Sequence, residues 1–80
     1  MNVGEVVKQR LLELCQERGI TINKLANISG VTQSTLNNII SGRNNSATVA
    51  TIKKLCDGLG ITLAEFFDTF EFNSLDQEIK

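Results

Sequence analysis

The sequence predicts an all-α fold, a compact domain of five helices around one core. Three observations carry the prediction. Apolar residues recur at intervals of three and four along most of the chain, the period of a helix buried on one side. Four such segments are followed by a glycine, at Gly19, Gly30, Gly42 and Gly60, the residue that most readily takes the left-handed conformation closing a helix. Proline is absent, so no residue breaks a helix from within.

The first helix is expected over Val3 to Arg18. Asn2 is its N-cap and Glu5 completes a capping box, while Val7, Leu11, Leu14 and Cys15 form one apolar stripe. Thr21 caps the second, which runs to about Ser29 with Ile22, Leu25, Ala26 and Ile28 as its apolar positions. Thr32 caps the third, ending near Ile40 or Ser41. Two short helices joined by a glycine turn cannot lie side by side as a long antiparallel pair, so they cross steeply as a helix-turn-helix. A polar loop from Gly42 to Ala47 leads to a fourth helix capped by Thr48 or Ser46, with Val49, Ile52, Leu55, Cys56 and Leu59 facing inward. Thr62 and Glu65 form another capping box, and the fifth helix turns Leu63, Phe66, Phe67 and Phe70 to the core. Beyond Asp68 the periodicity fades, and residues from Asn73 to Lys80 are expected to fray. The chain therefore divides into a domain of residues 1–69 and an acidic tail of residues 70–80, either dimer-forming or disordered.

Composition narrows the function. Eighty residues, 41% of them hydrophobic, suffice for one core. The net charge of −1 hides an asymmetry: residues 1–54 hold seven basic side chains against three acids, and residues 55–80 hold one against six. An approaching polyanion meets the local field of one face and not the total. With no His, and with Cys15 and Cys56 far apart in apolar surroundings, neither a metal site nor a nucleophile beside a base is offered. Both cysteines read as reduced core residues. Gly58-Leu59-Gly60 reads as a helix end and not as a nucleotide-binding loop. No catalytic residue, metal or cofactor is expected, and the protein is not expected to be an enzyme. The absence of a charged leader or a membrane-length apolar run points to the cytoplasm and away from a membrane.

The segment from Leu25 to Gly42 contains no charged residue but is rich in Asn, Gln, Ser and Thr. On a helical wheel Leu36, Ile39 and Ile40 gather on one side, with Ser34, Asn37, Asn38 and Ser41 opposite and Gln33 at the N-terminal end. Amides and hydroxyls both donate and accept hydrogen bonds, as reading base edges in the major groove requires. A polar helix face is usually only solvated. Here, however, the Lys and Glu common on such faces are missing, and Lys24, Arg43, Asn44 and Asn45 flank the segment as candidate phosphate contacts.

The run Thr21-Ile22-Asn23-Lys24-Leu25-Ala26-Asn27-Ile28-Ser29-Gly30-Val31-Thr32-Gln33-Ser34-Thr35-Leu36-Asn37-Asn38-Ile39-Ile40-Ser41-Gly42 closely resembles the helix-turn-helix of the Cro/C1-type (XRE) phage-repressor-like regulators. The stretch Thr51-Ile52-Lys53-Lys54-Leu55-Cys56-Asp57-Gly58-Leu59-Gly60-Ile61-Thr62 does so too, and the resemblance covers about residues 3 to 68. It implies a five-helix, lambda-repressor-like domain that binds double-stranded DNA, normally as a homodimer on a palindromic operator, and regulates transcription as a repressor. It also implies base-reading positions at Gln33, Ser34 and Asn38, with Thr35 and Asn37 touching backbone or neighbouring bases, and phosphate contacts near Asn23, Thr32, Arg43, Asn44 and Asn45. Two departures stand out. Ile22 occupies a position that in the family is often a phosphate-anchoring Gln, and Cys15 and Ile40 replace an Arg and a Glu that often pair. Losing both partners together leaves no orphan charge. An alternative of a different class is an antitoxin-like protein-interaction module that captures a partner through the Phe-containing tail.

Overall fold

A computed structural model describes residues 2–42, 47–77 and 79. Among these the chain is all helical: α1 (Val3–Arg18), α2 (Ile22–Ser29), α3 (Gln33–Ser41), α4 (Val49–Leu59), α5 (Leu63–Phe67) and α6 (Phe70–Asn73). Each helix starts where a side-chain oxygen answers one of its orphan N–H groups. Asn2 accepts from Glu5 at 2.9 Å, and Thr21, Thr32, Thr48 and Thr62 do the same for α2 to α5 at 3.0–3.1 Å. At Thr62, Glu65 returns the bond and closes the capping box, whereas among the described residues the expected box at Asn2 shows only the bond from Glu5 N–H.

One core joins the helices. Leu11 of α1, Leu25 of α2, Leu36 of α3, Leu55 and Cys56 of α4 and Phe66 of α5 are fully buried. The broadest helix–helix contact is α2 on α4, and α3 is held by α2 and α1. Both cysteines are buried and free.

Two arginines of α1 tie down the far side of the molecule. Arg10 donates to the carbonyls of Phe66 (2.9 Å) and Glu65 (3.0 Å) and pairs with Glu13, while Arg18 donates to the carbonyl of Leu59 at 3.2 Å. These acceptors are the last carbonyls of α5 and α4, which have no partner within their own helices and lie at the negative end of the helix dipole.

The structure departs from the sequence reading at four places. A sixth helix forms at Phe70–Asn73, capped by Thr69. It rests on α1, and Phe72 closes an aromatic cluster with Phe67 (4.8 Å between centroids) and Phe66 (6.0 Å). Phe70, expected to face inward, is 75% exposed, because the turn of α6 spends Phe72 on the core. Val49, expected on the inward stripe of α4, is 68% exposed, since it begins the helix, outside the reach of the neighbours that cover Ile52 and Leu55. Ile28, one of the apolar positions of α2, is 44% exposed. Ser74 to Gln77 have no helix, and residues 78 and 80, where fraying was expected, lie outside the described part.

Candidate nucleic-acid interface

The turn between α2 and α3 sets the geometry of this surface. Gly30 has φ 67°, a backbone state that side chains with a Cβ resist. It lets Val31 N–H return to the carbonyl of Ala26 at 3.1 Å, so the chain reverses within three residues and α3 starts at once.

α3 is anchored on one side only. Leu36 and Ile39 are buried and Ile40 is half-buried, which leaves the opposite side to solvent. Of the expected base-reading residues, Gln33, Ser34, Thr35 and Asn37 are exposed, and Asn38 is half-buried. Ser41 donates to the carbonyl of Asn38 at 3.3 Å. Thr32 is engaged in the cap: its Oγ1 accepts from Thr35 N–H and donates to Thr35 Oγ1 at 2.8 Å. The Thr35 oxygen is therefore occupied as an acceptor, and its own proton remains available to donate.

Of the expected phosphate contacts, Asn23, Lys24 and Thr32 are exposed on or beside α2 and α3. Arg43, Asn44 and Asn45 lie outside the described residues. Of the basic side chains in residues 1–54, Arg10 is paired with Glu13 and Lys53 with Asp57, while Arg18 keeps its charge as it donates to the carbonyl of Leu59. Lys24 and Lys54 are exposed.

One feature of this region escaped sequence reasoning. Ser29, the last residue of α2, has its Oγ buried with no hydrogen-bond partner among the described residues, and it abuts Gly58 of α4. A Cβ built on Gly58 would fall 2.1 Å from Ser29 Oγ and 3.1 Å from Ser29 Cα. The close seat of the α2 C-terminus on α4 thus depends on a residue with no side chain. A glycine inside a helical pattern was the available clue, since it usually has a packing reason.

A short helix docked on the body, a left-handed turn and a second helix with its outer side left open together define the helix-turn-helix class of DNA-binding proteins. The chain belongs to that family: the model described as Helix-turn-helix matches residues 11–66, and the match is of the Cro/C1 (XRE) type. Among curated proteins it is similar to two from Bacillus subtilis (strain 168). It is 43% identical over 47 residues, 59% of this chain, to the HTH-type transcriptional regulator RghRB. It is 40% identical over 53 residues, 66% of this chain, to the HTH-type transcriptional repressor RghR. The aligned parts make up 34% and 39% of those proteins, so the chain spans well under half their length. Among solved structures it is similar to prophage Lp1 protein 11, with a TM-score of 0.83 and 39% identity, covering 92% of this chain and 97% of that one. The family is one of DNA-binding proteins, and both Bacillus subtilis relatives are named as transcriptional regulators.

Proposed function

We propose that this chain binds duplex DNA in a sequence-specific way and regulates transcription as a repressor, with α3 in the major groove. The observation that carries the reading is the outer side of α3, where Gln33, Ser34, Thr35 and Asn37 are all exposed on a helix whose other side is locked into the core. Gln33, Ser34 and Asn37 read base edges, with Asn38 and Thr35 at the margin of that surface. Asn23, Lys24 and Thr32, together with Arg43, Asn44 and Asn45, hold phosphates and set the register. Two copies bind one palindromic operator, one half-site each. No described helix is long and apolar enough to cross a membrane, and the protein works on DNA in the cytoplasm.

Sequencing the genomic fragments retained by the immobilised chain tests this. Discrete fragments should be enriched, and the triple substitution Gln33→Ala, Ser34→Ala, Asn37→Ala should abolish the enrichment while leaving the helical circular dichroism and its melting unchanged. Equal retention of all fragments by both proteins would refute sequence-specific reading through α3.

A further inference from the structure

We infer that Gly58 of α4, outside the helix-turn-helix, is a positioning residue for DNA reading: its missing side chain seats the end of α2 on α4 and so fixes the tilt of α3. The inference rests on the DNA-binding reading above and adds to it a residue that acts through others.

Gly58 has no conformational reason to be glycine. It lies inside α4 and outside the left-handed region that Gly19, Gly30, Gly42 and Gly60 occupy, where glycine only weakens a helix. Space supplies the reason. A Cβ at this position would fall 2.1 Å from Ser29 Oγ and 3.1 Å from both Cα and Cβ of Ser29, whereas carbon atoms in contact sit about 3.5–4.0 Å apart. The hydroxyl can rotate but the Cα cannot, so a methyl here drives the two helices apart by about 0.5 Å.

That displacement lands where α3 is set. Among the described residues α4 makes its broadest contact with α2, and α3 rests on α2 and α1 with no comparable contact to α4, so a shift at α4 reaches α3 through α2. Ser29 is the end of α2 that matters. Only Gly30, Val31 and Thr32 separate it from Gln33, and the Val31 N–H is bonded back to the carbonyl of Ala26. Further along α3, Leu36 and Ile39 stay buried in the core. Moving Ser29 therefore swings the N-terminal end of α3, with Gln33 and Ser34, against its anchored remainder. Contacts to base edges tolerate a misplacement of only about 0.5 Å, while attraction to phosphates reaches over about 10 Å. The loss falls on sequence reading and spares general affinity.

To test this, the full chain first selects its preferred duplex from a random pool. The ratio of its affinity for that duplex to its affinity for a scrambled duplex of the same composition is then compared among variants, at a temperature where circular dichroism melts show each to be folded. Gly58→Ala should lower the ratio about fivefold or more, the value of one good base contact, with the affinity for the scrambled duplex within about twofold of the parent. Ser29→Gly combined with Gly58→Ala removes two of the three close atoms and should raise the ratio again. Phe66→Leu, which loosens the core from α5, should keep the parental ratio, because partial unfolding lowers both affinities alike. If Gly58→Ala does not fold, Ser29→Val, which thickens the same contact from the α2 side, should show the lowered ratio in its place. A folded Gly58→Ala, or failing that Ser29→Val, with the parental ratio would overturn the inference and leave DNA reading intact. So would a lowered ratio that Phe66→Leu shares or that the double variant does not relieve. A folded parent chain that selects no duplex would sink the DNA-binding reading together with this one.

Discussion

Glu65 shows how a single exposed side chain can make stability depend on pH. Its carboxylate accepts the backbone N–H of Thr62 at 3.0 Å, and this bond, with the hydroxyl of the same residue, holds its pKa below the ordinary value of 4.5. Because the folded value is depressed, the unfolded chain takes up the proton first as the pH falls. The contribution is complete above the ordinary value and is lost as the pH drops through the lowered one. Urea unfolding between pH 7 and pH 2.5 should therefore show a steeper acid loss of stability for the parent than for Glu65→Gln, which keeps a hydrogen-bonding group at this position but cannot titrate. Parallel curves would mean that the box contributes nothing to acid sensitivity. The two cysteines behave in the opposite sense. Burial pushes both thiols up, against Arg18 at Cys15 and reinforced by Asp57 at Cys56, so they stay neutral and unreactive at physiological pH.

Among the elements, α1 to α5 were legible because their boundaries are local. A hydroxyl or amide caps the start of each and a glycine closes α1 to α4, and both act through backbone atoms close in sequence. What the sequence hid is tertiary. The four-residue helix α6 has no stripe of its own and exists through Phe72 packing on Phe66 and Phe67. Periodicity assigned Val49 to a face but could not say how far a neighbouring helix reaches along it. The meeting of Ser29 and Gly58 belongs to the same kind, and it yields a paired expectation. Gly58→Ala should gain up to about 1 kcal/mol of helix propensity but lose about 1–3 kcal/mol to overpacking, because the Ser29 Cα facing the new methyl at 3.1 Å is backbone and cannot rotate away. Ser29→Ala removes a buried hydroxyl with no partner among the described residues and should stabilise by about 1 kcal/mol. Chemical denaturation of both variants gives the two signs, and a stabilised Gly58→Ala would show that α2 and α4 can separate at no cost.

At the scale of the whole molecule, acidic side chains and the exposed Phe70 ring gather at one end, away from α2 and α3. The α2–α3 face carries one base, Lys24, and no acid, whereas the end built from α5 and α6 carries Glu65, Asp68 and Glu71 and the exposed ring of Phe70. A polyanion approaching the first face is not opposed by acids on it, and the second face is left for a protein contact. Val6, Phe70 and Leu75 line a hollow of about 270 Å³ there. One helix of nine residues covers too few base pairs to single out an operator, so we propose that two copies meet through this end and set their recognition helices about 34–36 Å apart, one turn of DNA. Phe70 is the side chain that separates assembly from folding, since its ring is exposed while that of Phe72 is partly buried against the core. Phe70→Glu should therefore leave the thermal midpoint of the monomer within a few degrees. It should shift the sedimenting species from two chains to one and weaken binding to a two-half-site duplex far more than to a single half-site. Phe72→Ala should instead cost about 3–5 kcal/mol of stability at most, less to the extent that its ring is only partly buried. A Phe70→Glu protein that still sediments as a dimer would move the interface to another face of the molecule.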